Sequence, residues 1–121
     1  MADLKALAVK NHEYVVKMRR QIHQHPEIGF DLPKTLAVVH RELDKLGLTY
    51  TDKYCESSVV SVINPGKDFT IALRADMDAL PMAEESGLDF ACPTGTEAHC
   101  CGHDFHAAML LSAAKMLKEN E

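Results

Sequence analysis

The apolar positions in the first part of the chain recur at intervals of three and four, which predicts helices. About residues 3–23 form one long amphipathic helix in this interpretation, and its apolar face consists of Leu4, Leu7, Val15, Met18 and Ile22. A second helix is predicted to begin near Asp31, with Pro33 in its first turn, and to end at Gly47. Its apolar positions are Leu36, Val39, Leu43 and Leu46.

Beyond this point the pattern changes to β-rich runs and loops. Residues 58–63 and 69–75 are predicted to be adjacent strands, because the insert 64–68 is turn-forming and of hairpin length. Residues 76–99 are expected to be mostly loop, with a short extended piece near 88–91. A last helix is predicted over about 104–118, with a largely buried face of Ala107, Leu110, Leu111, Ala114 and Leu117. This order of elements predicts an α/β fold.

Composition narrows the class of protein. The chain has 121 residues, of which 46% are hydrophobic, and a formal net charge of -5, so we expect no nucleic-acid partner. Neither a secretory signal nor an apolar run of about 20 residues is evident, which predicts a cytoplasmic protein that does not enter a membrane. The cysteines are interpreted as metal ligands or reactive thiols rather than as a disulfide framework; they are Cys55, Cys92, Cys100 and Cys101.

Potential metal-ligating residues are most concentrated in residues 99–106, which read His-Cys-Cys-Gly-His-Asp-Phe-His at the entrance to the last helix. Thiol and imidazole ligands suit zinc, and imidazole with carboxylate also suits manganese, iron or nickel. Gly102 permits a sharp turn through which Cys101 and His103 could face one ion, while Asp104 could hold an imidazole in the required tautomer. The alternative is that His103 packs at the helix start and the cysteines are small core residues.

A second cluster follows the predicted strand 69–75. Arg74, Asp76 and Asp78 stand at its end, and two nearby carboxylates can bind a cation, orient a metal-bound histidine or share a proton. The alternative is that Arg74 pairs with one aspartate while the other caps the loop.

The remaining histidines are interpreted as structural. In residues 23–27, which read His-Gln-His-Pro-Glu, His23 is expected to face a carbonyl at the end of the first helix and Pro26 to stop the turn. His12 and His40 are expected to be ordinary helix histidines, so none of these is assigned to a metal.

These three clusters, in this order, resemble the N-terminal third of the carboxypeptidase and aminoacylase family of metallopeptidases. The nearest branch contains the amidohydrolases: hippurate hydrolase, N-acyl-amino-acid amidohydrolase and the plant auxin-conjugate hydrolases. Residues 20–27, 73–81 and 99–104 correspond to motifs of that branch, and the last two motifs are the more specific. The resemblance implies that residues 1–121 are the N-terminal part of one zinc-exopeptidase-like catalytic domain, a mixed sheet flanked by helices that is incomplete here.

The resemblance also implies a two-metal site for manganese, zinc, nickel or cobalt, in which water attacks the amide of an N-acyl amino acid. Cys101 and His103 are the expected ligands and Asp78 their support. Arg74, Asp76, Asp104 and His106 are expected beside the site with supporting or undecided roles. The general-base glutamate is expected beyond residue 121, so this chain alone is expected to be inactive.

Two positions depart from the family pattern: Cys100 replaces a small residue and Phe105 replaces a glycine. Family members are about three times this length and carry a second domain that mediates dimer formation, so we expect a homodimeric full-length enzyme and no dimerisation domain in this chain. The competing interpretation is a short, non-catalytic metal-binding or interaction module with the same fold.

Overall fold

A computed structural model describes residues 3–121, so the first two residues of the expected domain lie outside the described part. It contains four helices and a small sheet. In chain order the elements are α1 (Leu4–Lys10), α2 (His12–His23), α3 (Pro33–Lys45), β1 (Tyr50–Thr51), β2 (Val60–Ser61) and α4 (His103–Glu119). Within residues 3–121, no helix is both long and apolar enough to span a bilayer.

The long first helix predicted from the sequence is interrupted at Asn11. The side-chain amide of Asn11 donates to the carbonyl of Leu7 (2.9 Å), and its oxygen accepts from Lys115 of α4 (2.9 Å). This buried amide separates α1 from α2, and no residue of α1 is buried. The prediction that Leu4 contributes to a core-facing stripe is therefore wrong, since 70% of its surface is exposed.

Helix α3 forms where the periodicity predicted it, with Pro33 in the first turn. Gly47 adopts a positive φ of 65° just after the helix, which is the backbone conformation expected of a glycine stop. Helices α2, α3 and α4 pack together and share the main hydrophobic core. This core consists of Met18, Val39, Leu43, Leu48, Ala108 and Leu111.

The sheet differs from the predicted hairpin. Strand β2 pairs antiparallel with β1, with Tyr50 opposite Ser61 and Thr51 opposite Val60. Residues 69–75 form no strand in the part of the chain described, and alternate apolar side chains there remain largely exposed: Phe69, Ile71 and Leu73. A strand needs a neighbour to satisfy its backbone hydrogen bonds, and nothing in residues 3–121 packs on this apolar side. The fold thus combines helices with a smaller sheet than expected.

The 76–99 segment is a loop, as predicted, but 88–91 is a turn rather than an extended piece. One antiparallel bridge crosses the segment: the backbones of Leu80 and Ala98 exchange two hydrogen bonds of 3.0 Å. This bridge brings the residues after 75 next to those before α4. The two chemistry-bearing clusters of the sequence therefore lie side by side.

Candidate metal centre

Gly102 directs the chain from the loop into α4. Its φ of 105° lies in the left-handed region, and its carbonyl accepts hydrogen bonds from the amides of Phe105 (3.0 Å) and His106 (3.1 Å). A residue with a side chain rarely adopts this conformation. The glycine thereby places His103 at the first position of the helix, with His106 one turn later.

Asp78 fixes the imidazole of His103. The Nδ1 atom of His103 lies 2.9 Å from Oδ1 of Asp78 and 3.0 Å from its backbone oxygen. Both partners are acceptors, so Nδ1 donates and carries the ring proton. The lone pair is then on Nε2, which is the tautomer that a metal-ligating histidine requires.

Two further side chains that can bind a metal lie near Nε2 of His103. Its Nε2 lies 4.0 Å from Oδ2 of Asp76, and the rings of His103 and His106 are 5.4 Å apart. One ligand atom from each of these three residues lies within 4.8 Å of the others. Around a tetrahedral zinc ion neighbouring ligand atoms are about 3.4 Å apart, so closing onto an ion requires these side chains to approach by about 1 Å. Two imidazoles and a carboxylate suit a divalent transition metal.

The two other predicted residues around this cluster differ in position. Arg74 donates to both carboxylate oxygens of Asp76, from Nη2 to Oδ1 and from Nη1 to Oδ2 (3.3 Å), and Oδ2 also lies 4.0 Å from Nε2 of His103. Cys101 is exposed and is not part of the close three-residue cluster. The structure brings together Asp76, Asp78, His103 and His106, whereas the contribution of Cys101 to a metal site stays a prediction.

Asp104 points away from this cluster into a second, buried polar group. Its Oδ2 accepts from Nε of Arg19 and from Nδ1 of His23, both at 2.7 Å. The imidazole that Asp104 contacts is that of His23 rather than that of His103, so the supporting role of Asp104 at the metal site stays a prediction. The prediction that His23 faces a carbonyl is wrong: its Nε2 lies 2.9 Å from Glu84, so both ring nitrogens face carboxylates. Both ring nitrogens of His23 therefore have a carboxylate partner.

Glu84 was not identified from the sequence, because nothing in its local pattern distinguishes it from an exposed loop glutamate. Burial by itself raises the pKa of this carboxyl, but hydrogen bonds from His23, Ser86 and the amide of Cys92 outweigh burial and lower the pKa to about 2. Glu84 is therefore ionised at neutral pH. We call Arg19, His23, Glu84 and Asp104 the polar cluster; it ties α2 and the 76–99 loop to the first turn of α4.

Aromatic rings cover the polar cluster. The guanidinium of Arg19 lies 4.9 Å from the ring centroid of Phe90 and 4.4 Å from that of Phe105. Phe105 stacks on Arg19 and remains half exposed.

Glu27 connects the remaining motif to the site. Its carboxylate accepts from the amides of Lys34 (3.0 Å) and Thr35 (2.9 Å) and so caps the start of α3. Its backbone oxygen accepts from the amide of Ala79 (2.7 Å), next to Asp78. Through these bonds Glu27 links the start of α3 to the loop that orients His103, while the purely structural role of residues 23–27 stays a prediction.

His99 is buried between the two groups. Its ring centroid is 6.2 Å from that of His23, and no group among the described residues hydrogen-bonds to either of its ring nitrogens. Burial lowers the pKa of His99, so its imidazole is neutral at pH 7.

Comparison with known proteins places these motifs in a wider context. Residues 72–121, which contain the candidate metal centre, match Peptidase family M20/M25/M40. The IAA-amino acid hydrolase ILR1-like 5 of Arabidopsis thaliana is 40% identical over 109 residues, which are 90% of this chain and 25% of that protein. The N-acyl-L-amino acid amidohydrolase of Geobacillus stearothermophilus is 37% identical over 120 residues, 97% of this chain and 32% of that protein.

A solved structure of an M20-family peptidase is also similar to this chain. The crystal structure of a dinuclear metal-binding peptidase of the M20 family from Bacillus subtilis is similar with a TM-score of 0.81 and 35% identity. The similarity covers 98% of this chain and 32% of the Bacillus protein. The chain thus spans between a quarter and a third of the length of these relatives.

Proposed function

Because this chain belongs to Peptidase family M20/M25/M40, as its motifs predicted, we propose that it provides part of the metal centre of an amidohydrolase. The reaction is metal-dependent hydrolysis of the amide bond of N-acyl amino acids or related small amides. The names of the plant and Geobacillus relatives support this class of substrate. The description of the Bacillus peptidase supports a centre with two metal ions.

The observation that carries the proposal is the fixed tautomer of His103. Asp78 holds Nδ1 and leaves Nε2 to bind an ion at the entrance to α4. Cys101, one residue before Gly102, supplies a thiolate ligand in this proposal, and the exposed thiol is accessible for that role. Divalent ions at such a centre acidify bound water and polarise a carbonyl, which is the chemistry of amide hydrolysis.

The chain's own residues keep this arrangement rigid. The Leu80–Ala98 bridge holds the loop of Asp78 against the turn before α4, and the polar cluster holds α4 on α2. Such support matters because ligands must be held close to their working geometry before the ion arrives. With the general base expected outside residues 1–121, we expect this polypeptide by itself to bind metal weakly and to release no product.

The test begins with the natural polypeptide, isolated from its source cell with an antibody against this segment. A species of about three times this length is expected to hydrolyse N-acyl amino acids, to lose activity on chelation and to regain it with a divalent cation. In that protein, Asp78→Asn is expected to reduce metal affinity about 10- to 100-fold, because the orientation of His103 is lost. His12→Ala, which removes an exposed histidine, is the control.

Two outcomes count against the proposal. Absence of hydrolysis of any N-acyl amino acid across manganese, zinc, nickel and cobalt contradicts the activity. A natural species of 13.4 kDa that binds metal without turnover favours the short, non-catalytic module instead.

A further inference from the structure

We infer that residues 68–74 pair with the same residues of a second copy of this chain, as two antiparallel strands. We call these residues the 68–74 segment. Its apolar side chains are largely exposed: Phe69 at 76%, Ile71 at 74% and Leu73 at 57%. In the described part of the chain, no backbone hydrogen bond involves the segment. Unpaired amides and carbonyls beside exposed apolar side chains are a template for another strand. This contact goes beyond the proposed function and does not depend on it.

The charges of the 68–74 segment match in one antiparallel register. In this register Ile71 lies opposite Ile71 of the second copy. Phe69 then lies opposite Leu73 of the second copy, and Asp68 lies opposite its Arg74. Successive side chains point to opposite faces of a strand, so the apolar pairs share one face and the charge pairs share the other. Pairs of opposite charge therefore accompany the apolar contacts.

Other registers lose this match. A slip of two residues in one direction places Asp68 opposite Asp76, and like charges directly opposite each other are destabilising. The same slip in the other direction places Arg74 opposite Gly66, which has no charge. A slip of one residue brings the apolar side chains of one copy onto the polar face of the other. The sequence of the segment therefore favours pairing about Ile71.

Arg74 can make this contact while it stays bonded to Asp76. Its Nη1 and Nη2 atoms donate to the two carboxylate oxygens of Asp76, but its Nε has no partner among the described residues. The guanidinium carries five N–H donors, and 81% of the Arg74 side chain is exposed. Asp68 is exposed as well and forms no salt bridge within residues 3–121. Both charges are therefore accessible to a second copy.

The experiment is sedimentation velocity of the 121-residue chain over a series of concentrations, with a reducing agent because its cysteines are free. Asp68→Arg and Arg74→Asp each place like charges opposite one another, and each is expected to weaken self-association about tenfold. The double variant restores opposite charges and is expected to associate within about threefold of the wild type. Asp31→Arg is the matched control, because it makes the same change of charge at an exposed position outside the segment. Circular dichroism verifies that each variant retains its fold.

Three results overturn the inference. One is a wild-type chain that stays monomeric up to its solubility limit. Another is association that neither single variant weakens, or that the double variant does not restore, because the contact then does not use this register. The third comes from backbone hydrogen exchange: amides of the 68–74 segment that are already protected in the monomer show that a single chain covers the segment. Protection that rises with dimer concentration is the expected result.

Discussion

Replacing Asp104 with asparagine tests whether the polar cluster holds α4 in place. Asp104 is fully buried, and its Oδ2 accepts 2.7 Å hydrogen bonds from Arg19 and His23. Asparagine has the same shape but no charge, so the guanidinium of Arg19 loses its buried counter-ion. Removing one partner of a buried ion pair costs about 3–5 kcal/mol. The side chain of Arg19 is 18% exposed, so water can solvate part of its charge once the counter-ion is gone. We therefore expect Asp104→Asn to lower the free energy of unfolding by about 3 kcal/mol, the lower end of that range.

The assay is urea and thermal unfolding followed by circular dichroism at pH 7. A loss of about 3 kcal/mol corresponds to a fall in Tm of about 10 °C for a chain of this size. The matched control is Asp52→Asn, since Asp52 also contacts a histidine, His40, at 3.2 Å but is 49% exposed. Exposed pairs of this kind contribute less than about 1 kcal/mol. If the two variants unfold within about 1 kcal/mol of each other, the polar cluster does not stabilise the fold and the reasoning is refuted.

Three further predictions concern acid stability, the turn before α4 and the exposed apolar run. The lowered pKa of Glu84, about 2 instead of 4.5, stabilises the fold at pH values above 4.5, and this stabilisation is lost as the pH falls towards 2. Glu84→Gln should flatten this part of the pH profile of unfolding, and an unchanged profile contradicts it. Gly102→Ala should cost about 1–2 kcal/mol in urea unfolding from backbone strain alone, since the added Cβ meets no atom within 4 Å; Gly102→Asn should cost less. Ile71→Thr should change stability by less than about 0.5 kcal/mol yet reduce self-association in sedimentation velocity, because Ile71 is 74% exposed.

The three sequence motifs, residues 20–27, 73–81 and 99–104, are connected to one another by hydrogen bonds. The backbone oxygen of Glu27, in the first motif, accepts a hydrogen bond from the amide of Ala79 in the second motif. Asp78 of the second motif orients His103 of the third. Asp104 of the third motif is hydrogen-bonded to His23 of the first motif. A change in any of the three motifs is therefore expected to shift the candidate metal ligands.

Local patterns in the sequence were enough to determine the helices α3 and α4, the glycine turn at Gly102 and the family. These features depend on neighbours within a few positions, such as the periodicity along α4 and the order of ligand-type residues around Cys101. The same patterns indicated which residues carry chemistry, but not which of them face one another.

Which residues contact one another was determined by the tertiary structure. Lys115 of α4 donates to Asn11 at the break between α1 and α2. The pairing of β1 with β2 replaces the expected hairpin, and His23 contacts carboxylates from two distant segments. Contacts between groups far apart in sequence are settled only when the helices pack, because burial then requires every charge and amide to find a partner. For the same reason the run 69–75, which reads as a strand, remains unpaired within residues 3–121.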